Sequence, residues 1–142
     1  MTDFQIHVQI DRAPALVWSV MCDVENWPQW TPTVKSIRRF DHGPLTVGSC
    51  AVVRQPKLPP AKWRVTELDE SARNFTWVNW APGVRVIARH QVEPSNGGSQ
   101  VVLSLRFAGL FSGLLARITR GLNDRYLALE AEGLKRYCES QK

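Results

Sequence analysis

The C-terminal part of the chain contains one long segment without proline that has the periodicity of an amphipathic helix. Over residues 111–137, apolar side chains recur at spacings of three and four, which places them on one helical face. This stripe comprises Phe111, Leu115, Ile118, Leu122, Tyr126, Leu129, Gly133 and Tyr137, and is widened by Leu127 and Leu134. At 1.5 Å per residue such a helix is roughly 40 Å long. Because it is longer than any single strand here, it must lie along a sheet rather than connect two strands.

Most of the remaining chain is predicted to be β-strand. Residues 4–10 alternate apolar and polar side chains without a break, which is typical of a half-buried strand. Two short helices follow, the second cut short by Pro28 and Pro32. Six further strands are predicted at 34–40, 49–55, 62–68, 74–79, 84–93 and 100–107. Because short turns join antiparallel neighbours, these six strands are expected to form a meander.

The order of elements is therefore strand, two short helices, six strands and a long helix. Seven antiparallel strands and one long amphipathic helix share a core only if the sheet curves around the helix. We therefore predict an α+β fold in which a seven-stranded curved antiparallel sheet wraps around a long C-terminal helix. At 142 residues the chain is expected to be a single domain, 1–142. A gap between sheet and helix would be the place for a small molecule.

The composition is that of a soluble globular protein, with 44% hydrophobic and 22% charged residues. No run of about 18 apolar residues occurs, so no transmembrane segment is expected. The start of the chain lacks a secretory signal, and three cysteines without a CxxC pair argue against a disulfide framework, so we expect a cytoplasmic protein. A net charge of +5 is spread along the chain without clustering, so no nucleic-acid partner is expected.

Five stretches carry a resemblance to a known family. They are APALVW (13–18), DVENWPQW (23–30), GPLTVGS (43–49), QPKLPPAKW (55–63) and YLALEAEGL (126–134). Together with the order of elements, they resemble the polyketide cyclase/dehydrase-like family of the START-like, helix-grip superfamily, to which the birch pollen allergen also belongs. The resemblance implies one START-like helix-grip domain with a hydrophobic cavity. Because the superfamily includes aromatic cyclases, lipid and hormone binders and ring-hydroxylase subunits, the resemblance leaves the chemistry open.

The side chains expected to line the cavity follow from strand alternation, from the stripe of the C-terminal helix and from the tryptophans. Trp27 and Trp30 lie three residues apart, and the resemblance implies that such a pair lies near the end of the cavity. They either fill the core between helix and sheet or form a wall that stacks against a flat ligand. The expected cavity residues are Trp27, Trp30, Val53, Gln55, Trp63, Phe75, Trp77, Asn79, Val86, Ala88, His90, Leu103, Leu105, Leu122 and Tyr126.

Polar side chains on these inward faces are the candidates for chemistry. His90 is the candidate catalytic residue, because imidazole accepts and donates a proton near neutral pH. Alternatively, it is a core histidine satisfied by one hydrogen bond. Tyr126 offers its hydroxyl either to a ligand or to a backbone carbonyl, and Asn123 borders the same helical stripe. Glu130 is either a buried carboxylate or the partner of a strand arginine.

Neither a metal nor a cofactor is expected, because no second histidine has metal-ligand spacing and no dinucleotide- or phosphate-binding motif occurs. The predicted function is binding of a hydrophobic small molecule, aromatic or lipid-like, between sheet and helix. One alternative is a cyclase or dehydratase that uses the same cavity, with His90 as proton shuttle. A second alternative is a non-enzymatic module that contacts a macromolecule. The oligomeric state, monomer or homodimer, stays open.

Overall fold

The computed structural model describes residues 2–141, so Met1 and Lys142 of the expected domain lie outside the described residues. Every predicted strand is present, with its ends shifted by a few residues. The second short helix is a 3₁₀ helix. The elements are β1 (Thr2–Ile10), α1 (Pro14–Cys22), the 3₁₀ helix (Val24–Gln29), β2 (Ser36–Arg39), β3 (Cys50–Arg54), β4 (Ala61–Asp69), β5 (Asn74–Ala81), β6 (Val84–Ser95), β7 (Gly98–Ala108), α2 (Ser112–Ile118) and α3 (Arg120–Ser140).

The strands form one antiparallel sheet in the order β1-β7-β6-β5-β4-β3-β2. β1 pairs with β7, from Thr2 opposite Phe107 to Ile10 opposite Ser99, and so joins the first strand to the last. The β4–β5 register shifts between Val65 and Glu67, and such bulges bend a strand and increase its twist. The seven-stranded antiparallel sheet with a C-terminal helix is the α+β fold that the sequence predicts, and that prediction is confirmed.

One face of the sheet forms the core with the helices. Alternate residues of β7 point inward, and Val101, Leu103 and Phe107 are buried there. From α3, the residues that complete the core are spaced by three and four along the helix. They are Leu127, Ala131, Leu134 and Cys138. Within residues 2–141, no helix has both the length and the hydropathy needed to cross a membrane.

The C-terminal helix is not continuous, contrary to the prediction for 111–137. It is interrupted at Thr119, where φ is −99° and ψ is 9°, and α3 begins at the next residue. The Thr119 hydroxyl donates a hydrogen bond of 2.8 Å to the carbonyl oxygen of Leu115. Such a bond to the preceding turn bends a helix, and Gly121 lowers the local helix propensity further. The break separates a short α2 from the longer α3.

The buried face also differs from the predicted stripe. Phe111 and Ile118, which the spacing placed towards the sheet, are 55% and 71% exposed. Leu127 and Leu134, which widen the predicted stripe, are 5% and 0% exposed and pack in the core. In α2 the buried residues are Ser112 and Ala116, so the inward face of this helix is not the one that carries Ile118.

Gly133 permits the closest approach of α3 to the rest of the protein. A Cβ atom at this position would overlap the backbone carbonyl oxygen of Trp30, just after the 3₁₀ helix. The neighbouring core residues Leu134 and Cys138 are fully buried. Only glycine lets the helix backbone lie against the backbone of Trp30 at this distance.

We predict that Gly133→Ala lowers the free energy of unfolding by about 1–3 kcal/mol, because the added methyl group overpacks this contact. The matched control is Gly121→Ala in the same helix, where an added Cβ meets no atom within 4 Å. That substitution should stabilise the protein by up to about 1 kcal/mol through helix propensity. Urea denaturation followed by tryptophan fluorescence measures both values, and equal effects of the two substitutions would contradict the close contact at Gly133.

Candidate ligand-binding site

A cavity of about 290 Å³ lies between the sheet and the two C-terminal helices. Most of the side chains around it are apolar or aromatic. β3 to β7 form its floor and one side, α2 and α3 form its roof, and the β3–β4 loop lies at its edge. The cavity occupies only one end of the space between sheet and helix, because the other end is filled by the core around Leu134.

Two rows of side chains across β5, β6 and β7 form the floor of the cavity. In each row, residues from the three strands are direct neighbours in the antiparallel register. All six side chains line the cavity. The first row is Asn79, Val86 and Phe107, and the second is Trp77, Ala88 and Leu105.

The next row, Phe75, His90 and Leu103, is where the cavity ends. Phe75 and Leu103 are 0% and 4% exposed and belong to the packed core, so only His90 reaches the cavity. The His90 ring stacks on Phe75, with centroids 4.2 Å apart and planes inclined by 10°. Its Nδ1 lies 3.3 Å from the Phe75 carbonyl oxygen, so Nδ1 carries the hydrogen and Nε2 is an acceptor.

Burial determines the protonation of His90. Removal from water disfavours the imidazolium and lowers the pKa of His90 to about 4, although the hydrogen bond to Phe75 acts in the opposite direction. The ring is therefore neutral at pH 7. The hydrogen bond from Nδ1 to Phe75 is the single bond expected of a core histidine. The His90 ring nevertheless also forms part of the cavity wall.

Three tryptophans form an aromatic wall. The ring centroids of Trp27 and Trp77 are 5.4 Å apart, and those of Trp63 and Trp77 are 5.8 Å apart. Trp27 is held in place because its indole nitrogen donates a hydrogen bond of 2.9 Å to the carbonyl oxygen of Met21. Trp30 packs against Trp27 at 5.5 Å but does not reach the cavity. Trp27 therefore belongs to the cavity wall and Trp30 to the core.

The edge of the cavity is fixed by Tyr126. Its hydroxyl donates a hydrogen bond to the backbone carbonyl oxygen of Pro56, which ties the β3–β4 loop to α3. Leu58 and Pro59 of this loop line the cavity beside the tether. Of the two roles considered for Tyr126, the structure has the bond to a backbone carbonyl, and the ring itself also lines the cavity. Burial raises the pKa of the Tyr126 hydroxyl.

Glu130 is a half-buried residue whose carboxyl group lies in the cavity roof. The hydroxyl of Thr33 donates a hydrogen bond of 3.0 Å to its Oε1, and Thr31 in turn lies 2.9 Å from the Thr33 hydroxyl oxygen. None of the ion pairs within residues 2–141 involves Glu130, so it is not the partner of a strand arginine. Burial raises the pKa of Glu130 to about 7, and the Thr33 bond only partly offsets this effect.

Eleven of the fifteen expected cavity residues line the cavity. The other four have separate reasons for lying elsewhere. Trp30 packs behind Trp27, and Phe75 and Leu103 belong to the filled row. Leu122 is half-buried on α3 and does not reach the cavity. No group of three or more His, Cys, Asp or Glu side chains in the described part of the chain is placed to hold a metal ion.

Several wall residues were not among the expected ones. Phe107 lies two residues from Leu105 on the same face of β7, so alternation was sufficient to identify it. Leu58 and Pro59 come from a loop, where no periodic pattern marks the inward side. Leu115 and Thr119 reach the cavity from the end of α2, which depends on the break in the helix.

The curved sheet, the C-terminal helix and the cavity between them define a helix-grip domain of the START-like superfamily. The chain belongs to the family described as polyketide cyclase / dehydrase and lipid transport, whose family model matches residues 1–139. The resemblance recognised in the sequence is thereby confirmed. No curated protein matches the chain.

Solved structures share this fold over nearly the whole chain. A protein from Thermobifida fusca is 23% identical, with a TM-score of 0.81 and coverage of 97% of this chain and 93% of that one. The Zhui aromatase/cyclase from Streptomyces sp. R1128 is 15% identical, with a TM-score of 0.79 and the same coverage. Norcoclaurine synthase from Thalictrum flavum is 14% identical, with a TM-score of 0.75 and coverage of 99% and 87%. At these identities the similarity establishes the fold alone.

Glu130 and His90 give stability opposite dependences on pH. The pKa of Glu130 is raised from 4.5 to about 7, so folding binds a proton and this contribution is lost as the pH rises through that interval. The pKa of His90 is lowered from 6.5 to about 4, so its contribution is lost as the pH falls through that interval. Where the intervals overlap, the two effects on the free energy of unfolding oppose each other.

We predict that Glu130→Gln removes the contribution of Glu130 to the pH dependence of the free energy of unfolding and leaves that of His90. The free energy of unfolding of the variant, relative to wild type, should rise by about 2–3 kcal/mol between pH 4.5 and pH 7. The matched control is Glu132→Gln at an exposed site in the same helix, which should leave the wild-type profile unchanged. Urea denaturation at a series of pH values measures the difference, and a flat difference for Glu130→Gln would contradict the burial of this carboxyl group.

Proposed function

We propose that the protein binds an uncharged, hydrophobic small molecule with a ring system in the cavity between its sheet and α2–α3. The observation that carries this proposal is an apolar cavity of about 290 Å³ with tryptophans along one wall. This volume is near the lower end of the roughly 300–1,000 Å³ typical of ligand sites, which favours a compact ring compound over a large lipid. The flat faces of Trp27, Trp63 and Trp77 supply stacking surfaces for such rings.

The charge of the wall supports an uncharged ligand. Among the described residues around the cavity there is no lysine or arginine. His90 is neutral at pH 7 because its pKa is lowered to about 4. A carboxylate or phosphate at the buried end would therefore lose its hydration without gaining a cation, which is strongly unfavourable. Gln55 and Glu130 instead offer polar groups to an oxygen substituent on the ring.

We predict that N-phenyl-1-naphthylamine, an uncharged fluorescent ring compound, binds to the protein and quenches tryptophan fluorescence. Ala88→Phe should weaken this binding at least about tenfold, because Ala88 lies on the cavity floor and the new ring occupies the space of the ligand. The matched control, Ala72→Phe, adds the same ring at an exposed turn and should bind as wild type does. Unchanged binding by a folded Ala88→Phe variant would contradict the proposed location.

A cyclase or dehydratase activity in the same cavity is the second candidate. The observation that favours it is Glu130, a cavity carboxyl group whose pKa of about 7 suits a general acid or base near neutral pH. In an aldol condensation, a carboxylate takes a proton from a methylene carbon, that carbon forms a bond to a carbonyl carbon, and the proton is returned to the alkoxide oxygen. In the loss of water, the carboxylate takes the second proton of the same carbon and gives it to the hydroxyl, which leaves as water. His90, with Nε2 as acceptor, is the second group in this cavity able to exchange a proton.

For this activity, we predict that a short poly-β-keto thioester is converted to a ring product, detected by its absorbance. Glu130→Gln should lower turnover at least about 100-fold, the usual contribution of a general acid or base, while the substrate still binds. Glu132→Gln serves as the exposed control and should react as wild type does. Full turnover by Glu130→Gln would exclude Glu130 as the acid or base.

A cytoplasmic location is also part of the proposal. Cys22, Cys50 and Cys138 are free thiols, which supports a reducing compartment. Burial raises the pKa of Cys22 to about 12 and that of Cys138 to about 11. Neither residue is therefore a thiolate nucleophile at neutral pH.

A further inference from the structure

The segment around α2 exposes an unusual concentration of large apolar side chains. Leu110, Phe111, Leu114 and Ile118, which we call the α2 patch, are 86%, 55%, 61% and 71% exposed. They are half of the eight large apolar side chains exposed in the described part of the chain, yet they fall within nine residues. Clustered exposure of this kind marks an interaction site, whereas single exposed apolar residues need no explanation.

The patch is not the result of a poorly packed helix. The opposite side of α2 packs normally, since Ser112 and Ala116 are buried and Leu115 lines the cavity. At the start of the segment, the backbone nitrogen of Phe111 donates a hydrogen bond of 2.8 Å to the carbonyl oxygen of Gly83. A surface helix ordinarily presents polar residues to water, so an apolar outer face on a well-anchored helix needs a partner.

Positive charge accompanies this apolar surface. Between Glu93 and Asp124 the chain has no acidic residue. Arg117 and Arg120 are exposed beside Ile118 and take part in none of the ion pairs of the described residues. The surface that complements the patch is therefore apolar in its interior and negatively charged at its boundary.

We propose that the α2 patch, together with Arg117 and Arg120, is a peripheral docking site for a lipid bilayer that contains anionic headgroups. Apolar side chains enter the interface and arginines contact the headgroups, as in other amphipathic segments that lie on membranes. A stable protein interface involves roughly 20–30 residues on each partner, whereas the α2 patch lies within nine residues. The size of the patch thus favours a bilayer over a protein.

The position of the patch connects docking to the cavity. Leu115 and Thr119 line the cavity from the same segment whose outer side carries Leu114 and Ile118. The break at Thr119 separates this segment from α3, and Asn123 bonds to the Thr119 hydroxyl at 2.9 Å across the break. A bilayer bound at the α2 patch would therefore lie against the roof of the cavity, where an apolar compound dissolved in the bilayer could enter.

Co-sedimentation with vesicles tests this proposal. The wild-type protein should bind vesicles of phosphatidylcholine mixed with phosphatidylglycerol, and binding should weaken as salt is added because exposed charges are screened. Leu114→Ser combined with Ile118→Ser should weaken binding at least about tenfold. The matched control is Val47→Ser, which removes an apolar side chain that is 60% exposed outside the patch and should bind as wild type does.

Two further measurements make the result decisive. All three proteins should have the same thermal unfolding midpoint and bind N-phenyl-1-naphthylamine equally, because Leu114, Ile118 and Val47 do not line the cavity. Loss of vesicle binding can therefore be distinguished from loss of ligand binding, so the docking proposal and the proposed function are tested separately. The proposal is overturned if wild type does not bind the anionic vesicles, or if the double variant binds them equally well. It is also overturned if light scattering shows a dimer that depends on the patch and vesicles are not bound.

Discussion

The contact between Gly133 and the carbonyl oxygen of Trp30 determines how α3 lies against the rest of the protein. Near this contact the helix packs closely, and Leu134 and Cys138 are fully buried. Towards its beginning, α3 contributes Asn123 and Leu127 to a cavity wall. A stiff helix cannot follow a curved sheet along its whole length, so close packing at one end leaves space at the other. The cavity is thus a consequence of where the helix is held.

The strands and much of the cavity floor could be predicted from the sequence, because successive side chains of a strand alternate strictly between its two faces. Once Trp77, Ala88 and Leu105 are assigned to strands, alternation alone brings them to one face. The boundary of the cavity could not be predicted in this way. Phe75 and Trp77 have the same pattern, but the Trp18 ring of α1 lies against Phe75, with ring centroids 6.2 Å apart, whereas Trp77 lines the cavity.

For the C-terminal helix, the sequence predicted the element but not the face that is buried. Apolar spacing of three and four identifies a helix, but it does not distinguish a face that meets the core from one that meets a partner. Ile118 has the right spacing for the stripe and is nevertheless exposed, because α2 buries the side that carries Ser112 and Ala116. The loop residues Leu58 and Pro59 have no periodic signal at all. They reach the cavity through the tether between Tyr126 and Pro56, a contact between distant parts of the chain.

Glu130 adds a property that no apolar wall could supply. Its pKa lies close to neutrality because the carboxyl group has already lost most of its water. A hydrophobic compound that displaces the remaining solvent raises that pKa further, so occupancy and proton uptake become linked. The heat of association would then depend on the ionisation enthalpy of the buffer, and the complex would form more readily in mildly acidic solution than in alkaline solution.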